Sequence, residues 1–200
     1  MSTLLTRREL IAGIGVLSLG MLASFDSVAG TFKYGWDLSG QARGRSFTLK
    51  DPQGNQKTLA SYQGRVPMIF FGFTQCPAAC PTALARAVKI KKLLGPDGDR
   101  LKVIFITLDP ERDTPAVLDA YVKAFDPTFE ALYGNLEETA ATAEEFGVFY
   151  EKTPIGSTYT LSHTAMSYVY DAKGVLRLGF SQSRTEQECV EDLLTVMKAS

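Results

Sequence analysis

Short apolar runs alternate with polar stretches rich in glycine and proline along most of this chain. Phe47-Thr48-Leu49 and Lys57-Thr58-Leu59 flank Asp51-Pro52-Gln53-Gly54-Asn55, and turn chemistry between two short apolar runs predicts a hairpin. Residues 66–71, Val-Pro-Met-Ile-Phe-Phe, are continuously apolar, as in a strand buried on both faces. Residues 81–94 carry Leu84, Val88, Lys91 and Leu94 at helical spacing, and Gly95-Pro96 ends them. Residues 101–108 form a second buried strand, followed by the polar loop 109–115. Thr114-Pro115 suits the cap and first position of a helix running to about Phe125. Asn135 caps another helix over 136–146. Residues 147–150 read as a short strand and 152–161 as a polar insertion. A strand over 165–170, the turn Asp171-Ala172-Lys173-Gly174, a returning strand over 175–180 and a helix over 184–198 complete the chain.

Strand, helix, strand, helix, then a hairpin and a last helix is the order of a thioredoxin-like α/β sandwich. The expectation is a central mixed sheet flanked by helices, preceded by the N-terminal hairpin. Residues 46–200 form that domain, and 30–45, with glycines and no sustained period, read as a linker. Residues 1–29 read as an export signal or membrane anchor: Arg7 and Arg8 precede the uncharged run 10–25, and Ser27-Val28-Ala29 offers small residues at a cleavage-like spacing. A bilayer span needs about 17–25 apolar residues, so the run is short for one and cleavage is favoured. Thr6-Arg7-Arg8-Glu9-Leu10-Ile11 loosely resembles a twin-arginine signal, and no cysteine follows the run to take a lipid. The domain is expected outside the cytoplasm, in a bacterial periplasm, soluble or tethered by its N-terminal segment.

A chain of 200 residues with 45% hydrophobic and 22% charged residues folds around its own core without disulfide staples. The net charge of -1, with no block of like charge, excludes a nucleic-acid footprint, and a monomer is expected.

Three cysteines and one histidine concentrate the chemistry. Cys76 and Cys80 stand where the strand over 66–71 gives way to a helix. At helical spacing they would share one face, and the helix N-terminus would favour their thiolates. The spacing is one residue longer than a thioredoxin dithiol. The strand expected to face the pair opens Ser162-His163-Thr164, with histidine where disulfide exchange would want proline. Two thiolates and an imidazole make a soft set suited to copper in either oxidation state, while zinc usually wants a fourth ligand. Asp109 and Asp113 emerge at the same sheet edge, to orient a ligand or, more simply, to cap a turn and a helix. Cys189 reads as a packing residue of the last helix, and Trp36 as a surface contact of the linker.

Phe71-Gly72-Phe73-Thr74-Gln75-Cys76-Pro77-Ala78-Ala79-Cys80-Pro81-Thr82 resembles the signature of the Sco/SenC family of copper-binding, thioredoxin-like proteins. The segment 106–115 resembles the family's loop after its second core strand, and Ser162-His163 with Tyr168-Val169-Tyr170-Asp171 its histidine segment. The resemblance covers about 46–198. It implies copper held by Cys76, Cys80 and His163, and a client copper protein, a cytochrome c oxidase subunit whose binuclear copper centre is loaded or reduced. Gln75 stands where many relatives have histidine, and Ala78-Ala79 where an acidic and an apolar residue are common, which favours thiolate slightly. The competing reading is an extracytoplasmic thiol–disulfide oxidoreductase with Cys76 and Cys80 as its catalytic dithiol. A peroxidatic site is disfavoured, because Thr74 lies only two residues before Cys76 instead of three.

Overall fold

The computed structural model describes residues 32–199, so the segment read as a signal or anchor lies outside the described residues. In chain order the elements are β1 (Trp36–Asp37), β2 (Leu49–Lys50), β3 (Gln56–Lys57), β4 (Val66–Gly72), α1 (Ala79–Leu93), β5 (Leu101–Thr107), α2 (Pro115–Lys123) and β6 (Glu130–Leu132). They continue with α3 (Leu136–Phe146), β7 (Tyr150–Ile155), β8 (Thr158–His163), β9 (Met166–Tyr170), β10 (Leu176–Ser181) and α4 (Glu186–Lys198). A six-stranded sheet runs β1-β10-β9-β4-β5-β6. Strands β4, β5 and β6 are mutually parallel, and β9, β10 and β1 add antiparallel pairs. This is the mixed sheet of a thioredoxin-like sandwich.

The apolar run of β4 is continuous because both faces of the sheet are covered. Met68 and Phe70 point into a core shared with Leu84 and Ile90 of α1, Leu118 of α2 and Leu193 of α4. Ile69 and Phe71 point the other way, against Phe146 of α3 and the N-terminal residues Phe47, Leu49 and Tyr62. Asn135 and Glu138 satisfy each other's backbone N–H groups at the start of α3, and Gly147, at φ 66°, ends that helix in the left-handed conformation.

Two readings of the sequence are corrected. Part of the expected linker is built into the domain: Trp36–Asp37 pair with β10, and Leu38 is buried. The buried carboxylate of Asp192 in α4 accepts the backbone N–H groups of Lys33, Tyr34 and Gly35 at 2.8, 2.9 and 2.7 Å. A short glycine-bearing stretch without a period hides such pairing, because its partner lies almost the whole domain away. The expected strand over 147–150 begins only at Tyr150, and the expected insertion over 152–161 is instead most of a β7–β8 hairpin, in register from Tyr150–His163 to Ile155–Thr158. Its Thr and Tyr residues read as polar, yet β-branched and aromatic side chains suit a strand.

Asp192→Ala should release the N-terminal segment, at a cost of about 1–3 kcal/mol from the buried donors left unpaired. Amide exchange at residues 33–37 should accelerate far more than in β4, and equal protection in the variant would show that the carboxylate does not tie this segment.

Candidate metal centre

Parallel pairing keeps β4 and β5 level to their ends, Gly72 opposite Thr107, and the N–H of Leu108 bonds to the carbonyl of Gly72 at 2.7 Å. The cysteine loop and the 108–114 loop therefore leave the sheet side by side. The carboxylate of Asp113 joins them. It accepts the N–H of Thr74 at 3.0 Å, the hydroxyl of Thr74 at 2.5 Å and that of Thr107 at 2.6 Å. Burial pushes the Asp113 carboxyl up, against hydrogen bonds that pull it down.

Helix α1 begins at Ala79, earlier than the periodicity indicated, so Cys80 lies in its first turn and Cys76 precedes it. The two cysteines do not share a helix face. Ala78, at the cap position, has no side chain to accept a helix N–H, and the Cys76 sulfur takes that place, accepting the N–H of Cys80 at 3.3 Å. Their environments differ: Cys76 is partly buried, while Cys80 is 3% exposed. Burial, foremost, pushes the Cys80 thiol up to about 12, with the neighbouring Cys76 adding to the rise. The expectation that the helix N-terminus favours both thiolates fails at Cys80, where desolvation outweighs the backbone donors.

His163 closes β8 instead of opening the next strand, which starts at Met166. Its Nε2 stands 3.9 Å from the Cys80 sulfur, its Nδ1 lies 3.0 Å from the carbonyl of Thr164, and its ring meets Phe73 edge-on at 6.1 Å. Cys76, Cys80 and His163 thus gather at one edge of the sheet. Among the described residues no three His, Cys, Asp or Glu side chains are clustered closely enough to hold an ion as they stand.

Neither aspartate of the 108–114 loop reaches the sulfurs or the imidazole through a hydrogen bond. Asp109, 1% exposed, accepts Arg112 Nε at 2.5 Å and the Tyr159 hydroxyl at 2.7 Å. The helix cap is Thr114, which accepts the N–H of Val117. Cys189 is fully buried in the helix-side core, as expected of a packing residue, and Trp36 is exposed on β1.

Two residues near the site carried no signal in the sequence. Tyr121 of α2 has a buried hydroxyl with no hydrogen-bond partner among the described residues, and burial, then the charges of Cys80, Cys76 and Asp113, raise its phenol. In the sequence it is one more aromatic on a helix. Arg112 spans the gap between the cysteine loop and the hairpin, and its position within a polar loop gave no hint of that reach.

Residues 37–198 match the family model described as SCO1/SenC. A "SCO2-like protein" of Rickettsia felis is 35% identical over 153 residues, which are 75% of this chain and 75% of that protein. Bradyrhizobium japonicum ScoI with copper bound is 37% identical and aligns with a TM-score of 0.71 over 78% of this chain and 100% of its own. Yeast Sco1 with copper bound is 29% identical, with a TM-score of 0.72 over 80% of this chain and 91% of its own.

Gly72 is the tightest point behind the site. A Cβ there would lie 2.5 Å from the Cys80 sulfur and 2.8 Å from Cε2 of Phe105. Gly72→Ala should displace the sulfur and cost about 1–3 kcal/mol by overpacking. Thermal unfolding and the alkylation rate of Cys80 should both change, and a variant indistinguishable from wild type in both would show slack behind the sulfur.

Proposed function

This chain belongs to the SCO1/SenC family, and from that premise we propose that Cys76, Cys80 and His163 hold copper for delivery to a client copper protein outside the cytoplasm. The client this family membership points to is the cytochrome c oxidase subunit that carries the binuclear copper centre. The N-terminal Arg7-Arg8 and the uncharged run after it support export to the periplasm. Among the described residues no helix is long and apolar enough to cross a membrane.

The observation that carries the reading is the approach of Cys80 and His163, residues 83 apart in sequence, to 3.9 Å. Metal–sulfur and metal–nitrogen bonds of about 2.3 and about 2.0 Å, meeting at a trigonal angle, put their donor atoms about 3.7 Å apart. That spacing leaves room for one ion between them with a third ligand in the same plane. Cys76 supplies the third once its sulfur turns from the Cys80 amide toward the ion. A three-coordinate site of two sulfurs and one nitrogen satisfies Cu(I) and still offers Cu(II) the nitrogen it prefers. Copper relatives of known structure align over most of this chain and support the choice of metal.

The alternative activity is thiol–disulfide exchange by the same pair. Its support is the accessibility difference between the thiols, which leaves Cys76 open to attack a client disulfide while Cys80 waits buried as the resolving group. His163 separates the two roles, since copper retention uses it and exchange does not.

His163→Ala removes the only histidine of the chain. Cu(I) should still bind, more weakly, while the thiolate-to-copper absorption of Cu(II) should be lost or strongly altered, followed by titrating each state into wild type and variant. An unchanged Cu(II) spectrum would remove His163 from the ligand set and leave the exchange reading. Air oxidation should join Cys76 to Cys80 reversibly and abolish copper binding, because disulfide sulfurs carry no thiolate charge. Mass spectrometry finding copper bound equally to oxidised protein would contradict this, and Cys189, buried in the core, should stay a thiol throughout.

A further inference from the structure

The hairpin that carries His163 has little core of its own. Most of β7 is exposed, and on β8 only Leu161 is buried. An isolated two-stranded hairpin is marginal in water, so its placement depends on what ties it to the domain. Apart from the Cys80–His163 approach, the side-chain hydrogen bonds and ion pairs described between the hairpin and the body of the domain end on a single short loop. Tyr159 donates to Asp109, Lys152 pairs with Glu111, and Arg112 donates to the Tyr159 carbonyl at 2.8 Å and to the Thr158 hydroxyl at 3.3 Å.

Arg112 does more than the other two. Its guanidinium carbon lies 3.6 Å from the centre of the Tyr159 ring. Its Nε is held by the buried carboxylate of Asp109, which fixes the plane of the group. The same Nη1 that bonds the hairpin also bonds Oε1 of Gln75 at 3.2 Å, the residue immediately before Cys76. One side chain therefore touches the cysteine loop on one side and, on the other, the strand that ends at His163. A lysine offers neither the flat face nor the fork for this arrangement.

We propose that Arg112 is a positioning residue of the metal site, setting the separation between the histidine hairpin and the cysteine loop, with Asp109 and Tyr159 holding its guanidinium in place. The inference rests on the reading of His163 as a ligand. Loosening the hairpin should penalise the state that depends on nitrogen, Cu(II), more than Cu(I), which the two sulfurs can keep. Residues that orient metal ligands typically alter affinity by about 10–100-fold when replaced.

The test compares full-length wild type with Arg112→Gln, Arg112→Lys and Tyr159→Phe. In the metal-free proteins, amide exchange at residues 150–163 should rise at least about tenfold in Arg112→Gln relative to β4 and β5, since only local opening is affected. Arg112→Lys should recover little of the protection, and Tyr159→Phe, which keeps the stacked ring, most of it. With metal added, Arg112→Gln should lose about tenfold in Cu(II) affinity and show a shifted thiolate-to-copper band, with Cu(I) affinity changed less than about threefold. Wild-type hairpin protection and an unshifted band in Arg112→Gln would overturn the proposal. So would equal losses of Cu(I) and Cu(II) with a lowered unfolding midpoint, the pattern of general destabilisation. A wild type that takes up no copper would instead defeat the metal reading, and the metal-free exchange pattern would still decide whether Arg112 fixes the hairpin.

Discussion

The site depends on the parallel pairing of β4 with β5, in unbroken register from Val66–Leu101 to Gly72–Thr107. Because both strands end level, two loops distant in sequence leave the sheet as neighbours. Asp113 then binds both, through Thr74 on one and Thr107 at the root of the other. A buried carboxylate tolerates its desolvation only with such donors around it, and that requirement makes the junction specific in geometry as well as stable. Strand pairing supplies the frame and Asp113 fastens the cysteine loop to it.

On that frame the two cysteines become chemically unlike. Cys76, ahead of the helix, caps it with sulfur and keeps contact with solvent. Cys80, in the first turn of the helix, is packed so closely against Gly72 that the strand has no room for a Cβ there. Burial disfavours the charged form of Cys80 while no metal is present, so a bound cation has more to offer it than to an exposed thiol. One sulfur of the pair is thus shielded and the other accessible.

The imidazole arrives by a different route from the sulfurs. It is carried on the β7–β8 hairpin, outside the main sheet, which meets the body of the domain through Leu161 in the core and through the Arg112 hydrogen bonds.

The sequence by itself determined much of this protein. Its buried strands, its helix caps at Thr114 and Asn135, and its turn at Asp171–Gly174 are local features, and each was legible from residue type and period. The ligand candidates were legible as well, because a chain with one histidine and one close cysteine pair offers few choices. Only the tertiary structure decided how these parts meet. It put β1 in the sheet through Asp192, made a hairpin of an apparent insertion, buried Cys80 against the pull of its helix, and set Arg112 between the two halves of the site. The physical reason is common to all four. Each rests on a contact or burial between segments far apart along the chain, and neither periodicity nor propensity records which distant segment a side chain will face.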